Sequence, residues 1–600
     1  MAQSDAHFGY QAQFGRDSHP IGRRFGLTCA PGMLVPVFKD LASPGDSYYI
    51  RHKLTYLRTL PLLAPAMIDV KVHFETFFVP LQMLYQPVEN TLYSIKPIQS
   101  SNFDMSYLMN EKFPLFDYAS YISALTGSLY LSPARCLAFR LADYLGLNPY
   151  NFCQDFVAQG IQHWKYSPSF FPWQILAYNT IFHYFYRLDD KSPFDNEVCN
   201  WDKYYATASV NMVGSGTPNF MTIHQRPWDF DYFTSIYRGS IVGNLNLQKI
   251  LLSDTYSDLS GVNTLPINYN GAYSSLNIGI EAFSSQYTSG SSASVLQQDF
   301  STAAIRQMFA NEKLAMITGR TRKNYDSQVL AHLGVNVPHD VKHDLSLIAA
   351  DTYDLNIGEV TSLASSAPSG TYAGSALGDL AGKGWSKSPD DVRTHKFTAP
   401  CHGVIMTIFS VEPKKRYFGG IDRNNMVVDC FDLPVPEFDR NGNVPMFRYE
   451  TGTGLTSGSG ALVSDIIGWK ERYYQYKRGI DRTTVAFDYG SAMSGMVMNN
   501  NYASYFMAFQ PFEDTIGGNG VRPDLEDRFY INPGCMNTLF AAPFYSYWKY
   551  VDWTQSGATG ESWDATPNLL YVRDPFIADL HLDFNKVSWM SKDGEPVYPF

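Results

Sequence analysis

Three stretches of the sequence interleave cations with aromatic rings: Lys414-Lys415-Arg416-Tyr417-Phe418, the run Arg320–Tyr325, and the run Trp469–Arg478. Such residues can hold the phosphates of a single-stranded nucleic acid while the rings stack on unpaired bases. A solvated charge run, or a strip of salt bridges between subunits, uses the same residues, and spacing does not separate the readings. The other groupings fail as chemistry. No G-x-S-x-G nucleophile elbow occurs. Gly378–Gly384 resembles a phosphate loop but is one residue short between its glycines, and Gly384 stands where Ser or Thr would hold magnesium. His339 and His343 are spaced for one helical face, yet Pro338 interrupts and no Cys or third ligand lies near. Asp439–Asn443 lacks the spacing and terminal Glu of a calcium loop and reads better as a hairpin turn. Asp189/Asp190 and Asp390/Asp391 are adjacent pairs with no evident common substrate to face. No catalytic, cofactor-binding or metal site is expected.

Charge bears on the nucleic-acid reading. Lys and Arg total 46 against 57 Asp and Glu, a net −11, whereas a protein that wraps nucleic acid unaided is normally basic. Cations must then be concentrated on one surface or supplied by a partner. Residues 1–30 are polar, with Gly9, Gly15, Gly22 and Gly26 and the cations Arg16, Arg23 and Arg24. This composition predicts an extended arm that orders only against something else. Arg16, Arg23 and Arg24 are nucleic-acid-facing candidates, with Lys414, Lys415 and Arg416 as a second group. An arm that ties neighbouring subunits together is equally compatible.

The elements that would position these residues are mostly strands. In Met67–Val79, Ile68, Val70, Val72, Phe74 and Phe78 alternate with Asp69, Lys71, His73 and Glu75. A period of two predicts a strand with one apolar and one wet face, and Pro80 ends its ladder. Near the other end, Phe576–Trp589 alternates Ala578, Leu580, Leu582 and Phe584 with Asp579, His581, Asp583 and Asn585. Two half-buried strands so placed predict one β-framework closed by the ends of the chain. Thr28–Asp40, the turn Ser43-Pro44-Gly45-Asp46 and Ser47–Leu60 lead toward the first strand, with Pro61 and Pro65 between neighbours. Helical spacing follows in Pro133–Leu147, in the buried helix Trp173–Leu188, in Ser301–Gly319 and in Asp326–Gly334. Strands return at Phe397–Val411, Thr483–Tyr489 and Tyr502–Gln510, while Asp254–Ser301, Thr361–Ser388 and Thr451–Ser464 read as long loops. Strands, then inserted helices, then strands predict one antiparallel β-domain rather than a string of domains.

Composition sets further limits. With 45% hydrophobic residues the chain can bury a large core. Its 41 Tyr, 40 Phe and 10 Trp suit both a β-core and extensive contact with other chains. The cysteines Cys29, Cys136, Cys153, Cys199, Cys401, Cys430 and Cys535 are odd in number and scattered, as in a protein folded in a reducing cytoplasm. The opening MAQSDAHFGYQ has no signal-peptide pattern, and no apolar run reaches the length of a membrane span, so a soluble cytosolic product is expected.

Several blocks together resemble the major capsid proteins of microviruses, the small tailless single-stranded DNA phages, and the gokushovirus-like branch above all. They are the run Leu27–Val37, Pro44-Gly45-Asp46, the run Leu60–Pro80, Trp228–Thr234, Ile305–Val337, His402-Gly403-Val404, Arg472–Lys477, and Asp574-Pro575-Phe576 with Met590-Ser591. The resemblance runs from about residue 25 to the C-terminus, apart from the inserts between blocks. It implies a mainly β, antiparallel eight-stranded jelly roll with large helical and loop insertions. On that pattern residues 1–30 are the arm, residues 31–600 one capsid domain, and the insertions span about residues 85–395, with 254–301 expected as a surface protrusion. It also implies a T=1 icosahedral shell of about 60 copies around a circular single-stranded DNA genome. Further implied partners are a small basic DNA-binding protein and a host-surface receptor, with the protein made in the bacterial cytoplasm and resident in the virion. The competing reading, from another class, is a β-rich carbohydrate-binding or glycan-processing protein whose Tyr and Trp platforms stack on sugars.

Overall fold

The computed structural model describes residues 16–59, 66–86, 140–147, 170–188, 223–237, 344–361, 380–389, 391–427, 432–439, 443–451, 466–487 and 575–590, with isolated residues between them. The strands are β1 (Asp17–Pro20), β2 (Arg23–Cys29), β3 (Val35–Ala42), β4 (Ser47–Thr59), β5 (Val70–Pro80), β6 (Ser346–Thr361), β7 (Leu380–Ser386), β8 (His395–Thr398) and β9 (Gly403–Pro413). Short pairs follow: β10 (Arg416–Tyr417) with β13 (Asn499–Asn500), β11 (Asn443–Phe447) with β12 (Ile466–Glu471), and β14 (Trp548–Lys549) with β15 (Tyr571–Val572). The last strand is β16 (Phe576–Ser588). The described helices include α1 (Leu81–Leu84), α2 (Trp173–Ile181), which runs into a π-helical turn over Phe182–Tyr186, and α3 (Tyr474–Lys477), and residues 140–144 are the described end of a further helix that stops before Gly146.

Ten strands form one curled antiparallel sheet in the order β1-β16-β4-β7-β6-β5-β9-β3, with β2 also on β16 and β8 also on β4. The curl comes from β6. Its first part pairs with β5 up to Leu355, and its last six residues, from Asn356, pair with β7. The sheet therefore folds over as a β-sandwich of jelly-roll type, with β3, β9 and β5 facing β16, β4 and β8. Across the gap Phe38 stacks on Phe584 at 3.9 Å, His52 on Phe74 at 5.5 Å, and Phe78 meets Phe397 at 5.1 Å. Burial alternates along β16 as the sequence predicts, with Phe576, Ala578, Leu580, Leu582 and Phe584 inside. Pro36 sits at a bulge in the β3–β9 ladder, tolerated because β3 is an edge strand.

The chain's two ends do pair. β1 and β2 lie end to end along β16, opposite the side taken by β4. The break between them is at Gly22, where a Cβ would come within 2.7 Å of the Leu582 carbonyl oxygen, so backbone packs on backbone there. Residues 17–29, read from composition as part of a free arm, are thus framework strands whose partner is this chain's own C-terminal strand. The Ser43–Asp46 turn forms as expected. Pro44 precedes Gly45 at φ +86°, and Asp46 donates its N–H to the Ser43 carbonyl at 3.1 Å.

Five expectations are corrected. The strands β4 and β5 are not neighbours; they face each other across the sandwich. The sheet has ten strands where eight were expected. The expected insertion range reaches residue 395, but β6 and β7 inside it are sheet strands. Within Thr361–Ser388, read as a loop, Leu380–Ser386 is β7; its glycines are tolerated because Gly384 packs against Thr59 with no room for a Cβ. Val485–Phe487 is a 3₁₀ turn, not a strand. The helices Ser301–Gly319 and Asp326–Gly334, the strand Tyr502–Gln510 and the loop Asp254–Ser301 lie largely or wholly outside the described residues.

Candidate nucleic-acid interface and the charged clusters behind it

The six candidate cations do not form one patch. Arg16 is exposed and stacks 4.1 Å over the Trp589 ring, joining the start of β1 to the end of β16. Arg23 is exposed at the rim, donating to the Val37 carbonyl at 3.1 Å and lying 5.2 Å over Phe38. Arg24 is exposed on β2, across from His581 of β16. The second group sits on the other layer, past the end of β9. Lys414 is exposed and pairs with Asp481 at 3.0 Å. Lys415 is buried, 3.2 Å from Asp231 and 4.8 Å over the Trp228 ring. Arg416 is half-buried in β10. Of the other basic runs, Arg320–Tyr325 lies outside the described residues, and Lys470 in the third is buried against Glu450 at 2.6 Å.

Lys415 and Lys470 belong to three buried charged clusters that hold the segment of residues 223–237 to the framework. In the first, Arg226 reaches Glu75 of β5 at 2.8 Å and Glu412 of β9 at 3.1 Å, and donates to the Ser410 hydroxyl at 3.2 Å. Tyr186, from the π turn after α2, donates to Glu75, while His73 lies 3.1 Å from Glu412. The Asp229 N–H donates to the other Glu412 oxygen at 3.1 Å. Burial alone would raise the Glu412 pKa, but His73 and Arg226 hold it below its ordinary value. The expectation of a wet face on β5 therefore fails. His73 and Glu75 are covered by this cluster, and Phe77 on the same face packs on Phe185 at 4.7 Å.

The second and third clusters use successive residues of one short run. Asp231 accepts from the N–H groups of Phe233 and Thr234, from the Thr234 hydroxyl and from Tyr417, and forms an ion pair with Lys415. Its neighbour Tyr232 donates to Glu450 at 2.5 Å, and Lys470 lies 3.5 Å over the Tyr232 ring. Burial lowers the Lys470 pKa to about 8, although Glu450 opposes that shift. Each cluster is made of ion pairs within this chain, so its chemistry is attachment: it fixes which surface of β9, β11 and β12 the insert covers.

Buried histidines are expected to make the fold acid-sensitive. Inside the sandwich His52 bridges Asp351 and Thr76, each at 2.7 Å, and Thr76 bonds Thr407 at 2.8 Å. In the insert, His224 lies flat on Phe182 at 3.8 Å and bonds Asn179 at 3.0 Å. Burial lowers the pKa of His52 and of His224, and it takes His183 down to about 4, with Arg187 adding to that last shift. A group whose folded pKa is depressed binds its proton more readily when unfolded, so stability falls as pH drops below about 6.5. His183 alone is expected to lose on the order of 2 kcal/mol between about pH 7 and pH 5. Urea unfolding of the unassembled chain should show a lower midpoint at the acid pH, and His183→Phe should reduce the difference. Equal midpoints at both pH values would contradict this.

Sequence reasoning missed Arg226, Glu75, Glu412 and Asp231 as positioning residues. The available signal was polar residues at the outward positions of strands that are otherwise apolar, Glu75 after Phe74 and Glu412 after Val411. Residues 11–120 match a family described as capsid protein (F protein), a family of microvirus major capsid proteins. The matched span includes β1 through α1. No curated protein matches the chain.

Proposed function

We propose, from the match of residues 11–120 to the phage capsid protein family, that this chain is the major capsid protein of a small tailless phage. It is the structural subunit of a T=1 icosahedral shell of about 60 copies, closed around a circular single-stranded DNA genome. The family match carries the reading. The antiparallel sandwich and its clamped insertions support it, since a shell subunit needs a rigid plate with variable loops. At a net −11 per copy the subunit leaves genome neutralisation to cations gathered on its inner surface and to a small basic DNA-binding protein. Arg16, Arg23 and Arg24 are assigned to that surface, Lys414 and Arg416 on the other layer are left out of it, and residues 254–301 are assigned to an outer protrusion that meets the host-surface receptor. The protein is made in the host bacterial cytoplasm and resides in the virion.

Expression of the full chain with its genome and sizing of the product tests this directly. A closed particle in the megadalton range by light scattering and electron microscopy is the expected result, and limited proteolysis of intact particles should cut first within 254–301. A monomer with saccharide affinity would replace the reading with that of a carbohydrate-binding protein.

A further inference from the structure

The two layers of the sandwich differ on their outer surfaces. On the β5–β9 layer the outer surface is taken by α2, the π turn and residues 223–237. On the other layer, made by β2, β16, β4, β8 and β7, the outward residues range from half-buried along β16 to exposed on its neighbours, where Tyr49 is 36%, Tyr56 39% and Trp385 47% accessible. Register places the outward side chains in rows. Arg24, His581 and Lys53 stand side by side across β2, β16 and β4. Arg58 stands opposite Trp385. Tyr49 stands opposite Lys396, whose ammonium lies 5.6 Å over its ring. Lys383 lies two residues before Trp385 on the same side of β7. Neighbours in such a row are about 4.5–5.5 Å apart. The carboxylates on this surface are Asp579 and Asp583, and Asp583 is occupied by Arg51 at 3.0 Å. Among the described residues Arg24, Lys53, Arg58 and Lys383 have no acidic partner. In a chain of net −11, this is a concentrated cationic surface.

We propose that this face is a platform for single-stranded nucleic acid, on which Arg24, Lys53, Arg58 and Lys396 hold phosphates and Tyr56 and Trp385 stack on bases. It rests on the shell reading and deepens it, since it names the surface that takes the genome. Charge complementarity selects a polyanion. The exposed rings select unpaired bases, because a duplex keeps its base faces covered while a single strand offers them. The face is continuous across five strands, so it reads backbone and stacking without base-edge contacts, and sequence preference should be weak.

The test uses the full-length chain, unassembled, and a fluorescein-labelled oligo-thymidylate across a salt series. The triple variant Arg24→Gln, Lys53→Gln, Arg58→Gln should flatten the slope of log Kd against log salt by about 2, at about 0.7 for each phosphate no longer held. Trp385→Ala should weaken binding about tenfold with little change in slope, and Trp385→Phe should recover most of the loss. A control on the insert-bearing side, Lys71→Gln with Arg187→Gln, should leave both quantities unchanged. Circular dichroism melts establish that each variant folds. The proposal is overturned if the wild-type chain does not bind, if triple variant and control behave alike, or if a duplex of equal length binds as tightly and Trp385→Ala costs nothing. It is also overturned if the triple variant assembles poorly yet binds normally, which makes the face a contact between subunits. Failure of the shell reading is separate: a chain that binds the oligonucleotide but never forms particles keeps the face and loses the shell, and the reverse outcome loses only the face.

Discussion

Arg226→Ala is expected to cost about 3–5 kcal/mol of stability, because it strands two buried carboxylates that share one guanidinium. Glu75 and Glu412 come from β5 and β9, both in the packed layer, and Arg226 is their common partner at 2.8 and 3.1 Å. Tyr186 and His73 stay in place but cannot supply a full positive charge to both. Arg226→Lys should recover only part of the loss, since an ammonium cannot reproduce the fork that spans Glu75, Glu412 and Ser410. The pH dependence has a distinct sign. In the wild-type chain Glu412 is held below its ordinary pKa, so its contribution is present above that value and is lost only on strong acidification. Without Arg226 the burial of Glu412 is less opposed, so its carboxyl should favour protonation in the folded state. The gap between variant and wild type should therefore narrow as pH falls from about 7 toward 5. The triple variant Glu75→Gln, Arg226→Met, Glu412→Gln should be far more stable than Arg226→Ala, since it leaves no charge unpaired. Urea midpoints for the set decide the matter. A small effect of Arg226→Ala, or a gap that widens in acid, would show that the insert is held mainly by its apolar contacts.

Val72→Asp is expected to abolish soluble folded protein, and Lys71→Asp, one residue away, to be mild. The Val72 side chain is fully buried between the layers, so an unpaired aspartate there costs several kcal/mol. Lys71 is exposed on the opposite side, in register with Asp354 of β6 and Glu412 of β9. Its replacement sets like charges side by side across strands, a cost of about 1 kcal/mol or less at an exposed site. Soluble yield and thermal melts of the two variants test the face assignment, and equal tolerance would refute it. The farther residues of the same outward face behave differently. Glu75→Leu should cost more than Lys71→Asp, because it breaks the Arg226 cluster although it replaces a polar residue by an apolar one.

Alternation in Met67–Val79 and Phe576–Trp589 determined that these segments are strands and which residues of each face the sandwich core, because a side-chain period of two is a local property of the backbone. Likewise Ser43-Pro44-Gly45-Asp46 determined its own turn, and the stop of the helix near Gly146, at φ +66°, could be read from the glycine. A resemblance to phage capsid proteins was also readable, since short blocks in a fixed order carry it, and two of them, Pro44–Asp46 and Leu60–Pro80, coincide with those local elements. The sequence could not say that β4 and β5 face each other instead of pairing, since strand order depends on which distant segments close the sheet. Nor could it say what covers an outward face. His73 and Glu75 follow the same polar alternation as Arg51, yet they are sealed under residues 223–237 and Arg51 is open to solvent. Lys414 and Lys415 are adjacent, and only the path of that insert leaves one on the surface and buries the other against Asp231. Local spacing fixes which side of a strand a residue points to; long-range packing of inserts decides whether that side is interior, and so which cations are left to meet a partner.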